Sequence, residues 1–207
     1  MSKSIEQLRR DAKALRTAHE AGDVTARQRI ASVGAKRDAL KHADFLHVIA
    51  REAGFESWPR LVWADEIIGL HRAALQQRLK MALYHGQNWR VDHLLKQTPD
   101  LATDLFGLQC ALYDFKAVAQ ALDEDPSLAI REFGPRRPIL HLAFSRYIHA
   151  HPDLRDDMLA IAALLVANGA EVNDGFAIEA ESTHKLSALY GAIGHGNNMA
   201  LGQWLLE

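Results

Sequence analysis

The second half of the chain repeats one short pattern, and this repetition limits the available folds more than any other feature. Residues 91–102 and residues 118–129 each place apolar residues three and four positions apart and then finish in Pro-x-Leu-Ala, which is typical of a helix followed by a turn. The Leu-Leu helix end returns in residues 164–173, where Gly169 suits a helix C-cap, and again at 204–207. Because one helical hairpin cannot bury its own apolar face, recurring units of this kind predict a stacked helical array.

The repeating half resembles the ankyrin repeat, a unit made of two packed helices. Pro138–Ala143, which reads Pro-Ile-Leu-His-Leu-Ala, resembles the T-P-L-H-x-A opening of that repeat. Residues 164–173 resemble its close, and Ser187–Gly196 resembles the opening of a following repeat. Three residues with the same mutual spacing indicate a degenerate first repeat, namely Leu79, Ala82 and Gly86.

The resemblance implies an all-α fold in which residues 70–207 form an ankyrin-like helical solenoid of about four repeats. The first two repeats are degenerate, and Tyr113 stands where the second would have its glycine between helices. Two stretches exceed the period of about 33 residues, so we expect insertions near 146–157 and 174–185, the first of them an exposed polar loop. His141 of the signature is expected to hydrogen-bond backbone groups of a neighbouring turn.

Residues 1–69 carry no ankyrin signature and are predicted to form a helical leader, or N-terminal cap, before the array. Their apolar residues also recur at helical spacing. Gly54 suits the end of one helix, and Ser57 with Pro59 suits the start of the next. Residues 48–61 resemble a leader that precedes ankyrin arrays in some bacterial proteins. No segment shows the sustained alternation of a half-buried strand, so no substantial sheet is expected.

The composition excludes several other classes of protein. The net charge is −2 and the pI about 6.6, so no basic excess favours nucleic acid. Cys110 is the one cysteine, so no intramolecular disulfide points to an oxidising compartment. The start of the chain is charged and lacks the apolar region of a secretion signal, and no apolar stretch reaches the ~20 residues of a membrane span. We therefore expect a cytoplasmic protein that binds neither nucleic acid nor membranes.

No combination of residues matches a known catalytic or metal-binding pattern. His149 and His151 are the only close histidine pair, and no Cys or H-E-x-x-H motif accompanies them. Residues 191–196 are rich in glycine, but they form neither a G-x-G-x-x-G motif nor a P-loop. Cys110 lies among apolar residues, where a buried packing role is expected rather than that of a nucleophile. The sequence thus predicts no cofactor, no metal and no enzymatic activity.

A helical array of this kind predicts a non-enzymatic protein–protein interaction module, since such arrays present an extended concave face. Two alternatives stay open. One is an enzyme with its active site in or beside the N-terminal helical region, which a charged pocket near Arg51, Glu52 and His71 would favour. The other is a structural end-piece of a longer or oligomeric array. The apolar residues within 201–206 further suggest self-association through the C-terminal helix, or a chain that continues beyond Glu207.

The candidate binding residues lie in the inter-repeat turns and on the inner helices, where ankyrin-like arrays contact their partners. Aromatic and arginine side chains dominate interface energies, and the turns at 131–137 and 173–185 carry aromatic and basic residues. The predicted protein-binding residues are Arg131, Phe133, Arg136, Arg137, Tyr147, Phe176, His184, Lys185 and Tyr190. The partner is expected to be another protein with an acidic patch.

Overall fold

The computed structural model describes residues 3–34, 39–178 and 184–207, and in these ranges the chain is mostly helical. The all-α prediction is therefore confirmed. The chain divides into two compact units, Met1–Leu70 and His71–Glu207.

The described part of the first unit consists of four helices and the turns between them. The helices are α1 (Ile5–Glu20), α2 (Val24–Ser32), α3 (His42–Glu52) and α4 (Trp58–Glu66). Buried side chains of the first three helices form one apolar cluster: Ala12, Leu15, Ala26, Ile30, Phe45, Val48 and Ile49. As predicted, Gly54 follows α3 with a φ of +86°, and the Ser57 hydroxyl accepts a hydrogen bond from the Arg60 amide at the start of α4.

The described part of the second unit contains four helix pairs. The pairs are α5 (Arg72–His85) with α6 (Asn88–Gln97), α7 (Phe106–Ala111) with α8 (Phe115–Glu124), α9 (Pro138–Ala143) with α10 (Arg155–Ala167), and a π-helical turn (Tyr190–His195) with α11 (Met199–Trp204). The first helices of the second and third pairs, α7 and α9, pack against each other. The second helices pack in the same order, α8 against α10 and α10 against α11.

Left-handed backbone conformations close several helices of the second unit. Gly86 (φ +66°) follows α5 and Gly169 (φ +95°) follows α10, and the C-cap predicted at Gly169 is thus present. Tyr113 follows α7 at the position where the repeat would have a glycine, and it adopts the left-handed conformation with a φ of 59°. After the π-helical turn, Asn197 (φ 49°) rather than Gly196 adopts this conformation.

The first insertion is a folded segment in which many residues are exposed. It runs through two short 3₁₀ turns, Tyr147–His149 and Pro152–Leu154. The Tyr147 side chain is buried, and the His149 Nε2 atom lies 2.6 Å from the Gly196 carbonyl oxygen. Most of the residues that follow Tyr147 are exposed, as expected for a polar loop: His149, Ala150, Pro152, Asp153, Arg155 and Asp156. The Tyr147 ring and the His149 hydrogen bond nevertheless hold the segment against the rest of the unit.

The second insertion contains a short antiparallel hairpin. Strand β1 (Gly175–Ala177) pairs with strand β2 (Lys185–Ser187), and Phe176 lies opposite Leu186. Within the described residues this is the only sheet, in agreement with the expectation that no substantial sheet forms. Residues 179–183 of the predicted insertion lie outside the described residues.

The first helix pair of the second unit reaches beyond its immediate neighbour. In a linear array, each repeat contacts only the repeats beside it. Here the Arg146 amide, after α9, donates to the Leu83 carbonyl of α5 over 3.0 Å, and the His195 Nε2 atom lies 2.7 Å from the Tyr84 carbonyl oxygen. The end of α5 is thus hydrogen-bonded both to the segment after α9 and to the π-helical turn.

The C-terminal helix places part of its apolar surface inside the second unit. Leu201 and Leu205 are buried, whereas Leu206 and Met199 are exposed. Self-association through this helix stays a prediction, and these two exposed side chains are the apolar groups available to it.

Candidate functional site

A cleft of about 340 Å³ opens in the second unit between α5, α7, α9 and the turn before α9. Its walls are mostly apolar: Met81, Leu83, Tyr84, Leu108, Ala111, Phe133 and Phe144. The polar side chains that line it are Gln77, Lys80, Arg136, His141 and Ser145. The described lining residues include no Asp or Glu, so Lys80 and Arg136 give the cleft a positive charge.

The turn before α9 places Arg136 at this cleft. The Phe133 amide donates a 2.8 Å hydrogen bond to the Arg136 carbonyl, and Gly134 between them adopts a φ of +74°, which glycine tolerates without steric cost. His141 of α9 holds the turn, since its Nε2 atom lies 3.0 Å from the Phe133 carbonyl oxygen. The hydrogen bond predicted for His141 is therefore present.

Arg136 is a half-buried cation enclosed by aromatic rings. Its guanidinium carbon lies 4.9 Å from the ring centre of Tyr84, 4.8 Å from that of Phe144 and 4.3 Å from that of Phe176, distances at which a ring face attracts a cation. Burial lowers the pKa of Arg136, and its interactions with Tyr84 partly offset this effect. Its Nε atom is buried and has no hydrogen-bond partner among the described residues. Within the part of the chain that the structure describes, Arg136 is not paired with the carboxylate that usually accompanies a buried arginine.

Close packing between α5, α9, β1 and the π-helical turn holds the ring cluster in place. Phe144 follows α9, and Gly191 of the π-helical turn lies so close that a Cβ atom there would be 2.6 Å from the Phe144 ring. Phe176 of β1 meets the same ring edge-on, with 5.3 Å between centroids. The His195 ring stacks on Tyr84 at 4.0 Å. Any residue larger than glycine at position 191 would therefore clash with the Phe144 ring.

His141 is uncharged at neutral pH. Burial lowers its pKa to about 4, and the positive charges of Arg136 and Lys80 act in the same direction. The pKa of His195 is also lowered, chiefly by burial. The positive charge of the cleft therefore comes from Arg136 and Lys80 and not from the neighbouring histidines.

The structure brings four of the predicted binding residues to this region. Phe133 and Arg136 line the cleft, and Phe176 packs over the Arg136 guanidinium. Tyr190 is half exposed and lies 6.3 Å, between ring centroids, from Phe144. An arginine and three aromatic side chains from two turns and a π-helical turn thus share one part of the surface.

Two of the predicted arginines are committed to other contacts. Arg131 donates to the Asp125 carboxylate and to the Ser127 hydroxyl, each over 2.8 Å. Arg137 donates to the buried Asp174 carboxylate over 3.0 Å and so connects the turn before α9 to the start of the hairpin. Neither guanidinium group is an unneutralised cation, in contrast to that of Arg136.

The remaining predicted residues lie apart from the cleft. Tyr147 is not on an inner helix as expected, because α9 ends before it. The Tyr147 ring lies 4.0 Å from that of His151, tilted by 33°, and borders a different cleft of about 370 Å³. Lys185 lies exposed in β2, and His184 lies exposed directly before that strand.

Sequence reasoning missed three residues that build the site: Lys80, Tyr84 and Phe144. Phe144 directly follows the signature helix Pro138–Ala143, and Tyr84 comes shortly before a helix-ending glycine. These positions indicate aromatic residues at two helix ends. They do not indicate that both rings converge on Arg136.

Charged residues also line a cleft of about 340 Å³ in the first unit, but they are paired with one another. Lys3 lies 2.6 Å from Asp11, and Arg29 lies 2.7 Å from Glu52. Glu52 belongs to this cleft, whereas Arg51 and His71 do not line it, and the enzymatic alternative stays an open prediction. No group of three potential ligands among the described residues could hold a metal ion, and no described helix combines the length and apolar character that crossing a membrane requires.

No family model matches this sequence, and neither a curated protein nor a solved structure matches it significantly. The ankyrin resemblance therefore rests on the motifs themselves, and a function has to be argued from the chemistry of the site.

Proposed function

We propose that this chain is a non-enzymatic protein-binding module whose second unit is an ankyrin-like helical solenoid preceded by a helical cap. The four helix pairs and the His141 hydrogen bond to the turn before α9 support the solenoid. One observation carries the function: Arg136 is a half-buried cation in an aromatic cleft whose described lining residues include no Asp or Glu.

The physical argument concerns the missing anion. Burial of a cation removes part of its hydration, and a cation–π contact restores only about 0.5–2 kcal/mol. An acidic partner would supply the acceptor, because paired hydrogen bonds between arginine and carboxylate are among the strongest that a side chain forms. Met81 in the cleft and Tyr190 beside Phe144 are exposed, so the partner would also cover apolar surface.

Peptide selection tests this proposal directly. Random peptides, displayed with either end free, are selected on the immobilised full-length chain, and the affinities of enriched peptides are measured by fluorescence anisotropy. We expect acceptor groups in the enriched peptides and a loss of about tenfold or more in affinity for Arg136→Met, since a charge-assisted hydrogen bond is removed.

Arg131→Met is the matched control, because Arg131 is an exposed arginine already paired with Asp125. Arg137 is unsuitable for this purpose, since its loss would leave the buried Asp174 carboxylate without its cation. Thermal unfolding establishes that both variants are folded. Enrichment of no peptide, or equal affinity of the wild type and Arg136→Met, would overturn the proposal.

A further inference from the structure

Some of the hydrogen-bonding side chains that line the cleft have partners within the fold, and others do not. The Ser145 hydroxyl donates to the Ala111 carbonyl over 2.6 Å, and the His141 Nε2 atom is bonded to the backbone of the turn. Neither Arg136 nor Lys80 forms an ion pair among the described residues, in contrast to Arg131 and Arg137. Among the described residues of the cleft, the groups that carry an unneutralised charge are therefore cations. Of the neutral polar side chains, His141 and Ser145 are used within the fold, whereas the Gln77 amide is exposed.

This distribution of donors limits the kind of ligand that the cleft can bind. An extended peptide that ran through the cleft would bring several backbone amides and carbonyls into it, and each would need a partner. The walls formed by Leu83, Leu108 and Phe144 cannot supply them. A chain that ends in the cleft brings only one carboxylate and one side chain, so its unpaired polar groups are few.

The shape and size of the cleft agree with such an end group. A carboxylate is planar and has two oxygens, which match the fork of a guanidinium group. The volume of about 340 Å³ lies at the lower end of the range for ligand sites, which suits one residue rather than a long segment.

We infer that the cleft binds the C-terminal residue of a partner chain, with its carboxylate at Arg136 and Lys80. Its side chain is apolar and packs against Met81 and Phe133, whose apolar surface in the cleft is exposed or half-buried. This inference rests on the proposed protein-binding function and specifies which part of the partner is bound.

The test compares peptides that differ only at the carboxyl end. Random peptides displayed with a free C-terminus are selected in parallel with the same library fused through its C-terminus. The best free-end peptide is then synthesised with a carboxylate and with an amide. We expect enrichment of free-end peptides with an apolar last residue, and about tenfold or more weaker binding of the amide and of Arg136→Met. The Arg131→Met control is expected to bind the free acid as the wild type does.

A titration with small molecules distinguishes binding of a peptide C-terminus from binding of any small carboxylic acid. The ¹⁵N-labelled protein is titrated with 3-phenylpropanoate and with 3-phenylpropanamide while the Arg136 Nε–H resonance is followed. A saturable shift with the acid alone, together with free-end peptide binding, supports the inference. A shift with the acid and no peptide binding would overturn it in favour of a small-acid site and would also end the proposed function. Selection only from the fused library, with Arg136-dependent affinity, would overturn the inference and leave the proposed function standing.

Discussion

The buried His141 makes the stability of the second unit depend on pH, and replacing it with glutamine tests this dependence. The pKa of His141 is about 4 in the folded chain against 6.5 for an unperturbed histidine, chiefly because burial disfavours the charged ring. Above pH 6.5 neither state binds the proton, so the full stability is present. As the pH falls below 6.5, the unfolded chain takes up the proton and the folded chain does not, so stability is lost until the pH reaches about 4.

The size of this loss follows from the two pKa values. Where the unfolded chain binds the proton and the folded chain does not, the free energy of unfolding falls by about 1.4 kcal/mol for each unit that the pH falls. Between pH 7.5 and pH 5, His141 should therefore lower the free energy of unfolding by about 2 kcal/mol. The assay is urea unfolding of wild type and His141→Gln at both pH values, followed by circular dichroism. His141→Gln should be less stable than the wild type at pH 7.5 and should lose about 2 kcal/mol less on acidification.

Two comparisons isolate the effect. Other histidines with a lowered pKa, His93 and His195, contribute to the slope of both proteins and cancel in the difference. His42→Gln replaces an exposed histidine of the first unit and controls for a histidine-to-glutamine change away from the buried ring. An unchanged pH dependence in His141→Gln would refute the reasoning that burial keeps this ring neutral.

Three further substitutions test the local geometry, each by chemical unfolding of the variant beside the wild type. Gly169→Val places a branched residue at a φ of +95° and should cost about 1–3 kcal/mol; no change would remove the C-cap assignment. Gly191→Ala puts a Cβ atom 2.6 Å from the Phe144 ring and should also cost about 1–3 kcal/mol, whereas full stability would mean that the ring can move at no cost. Tyr113→Phe removes a 3.2 Å hydrogen bond from the hydroxyl to the Ser145 carbonyl and should cost about 0.5–1.5 kcal/mol, so a gain in stability would contradict that bond.

Features set by neighbouring residues could be predicted from the sequence. The helix end at Gly169 and the helix start at Ser57 depend on the backbone and side chain of a few adjacent positions, and both are present. The contact of His141 with the turn before α9 spans only a few residues, and the short signature was sufficient to predict it. Local rules therefore accounted for the helices and for one polar contact of the site.

Features set by distant residues could not be predicted. Arg131, Arg136 and Arg137 look alike in the sequence, but only the folded chain shows that Asp125 and Asp174 neutralise two of them. Arg137 is paired because the hairpin places the Asp174 carboxylate beside it. The repeat pattern does not predict the position of Asp174, because the insertion interrupts the period.

The two departures from the repeat period take part in building the cleft. The first insertion begins with Arg146, whose amide donates to the Leu83 carbonyl and so holds the end of α5, with its Tyr84 ring, against the later helix pairs. The second insertion supplies Phe176, the closest ring to the Arg136 guanidinium. A regular array would contain neither contact, since each repeat would meet only its neighbours. The insertions that weaken the sequence resemblance are therefore the segments that complete the proposed binding cleft, and under that proposal the specificity for peptides should change when they are altered even if the helix pairs are kept.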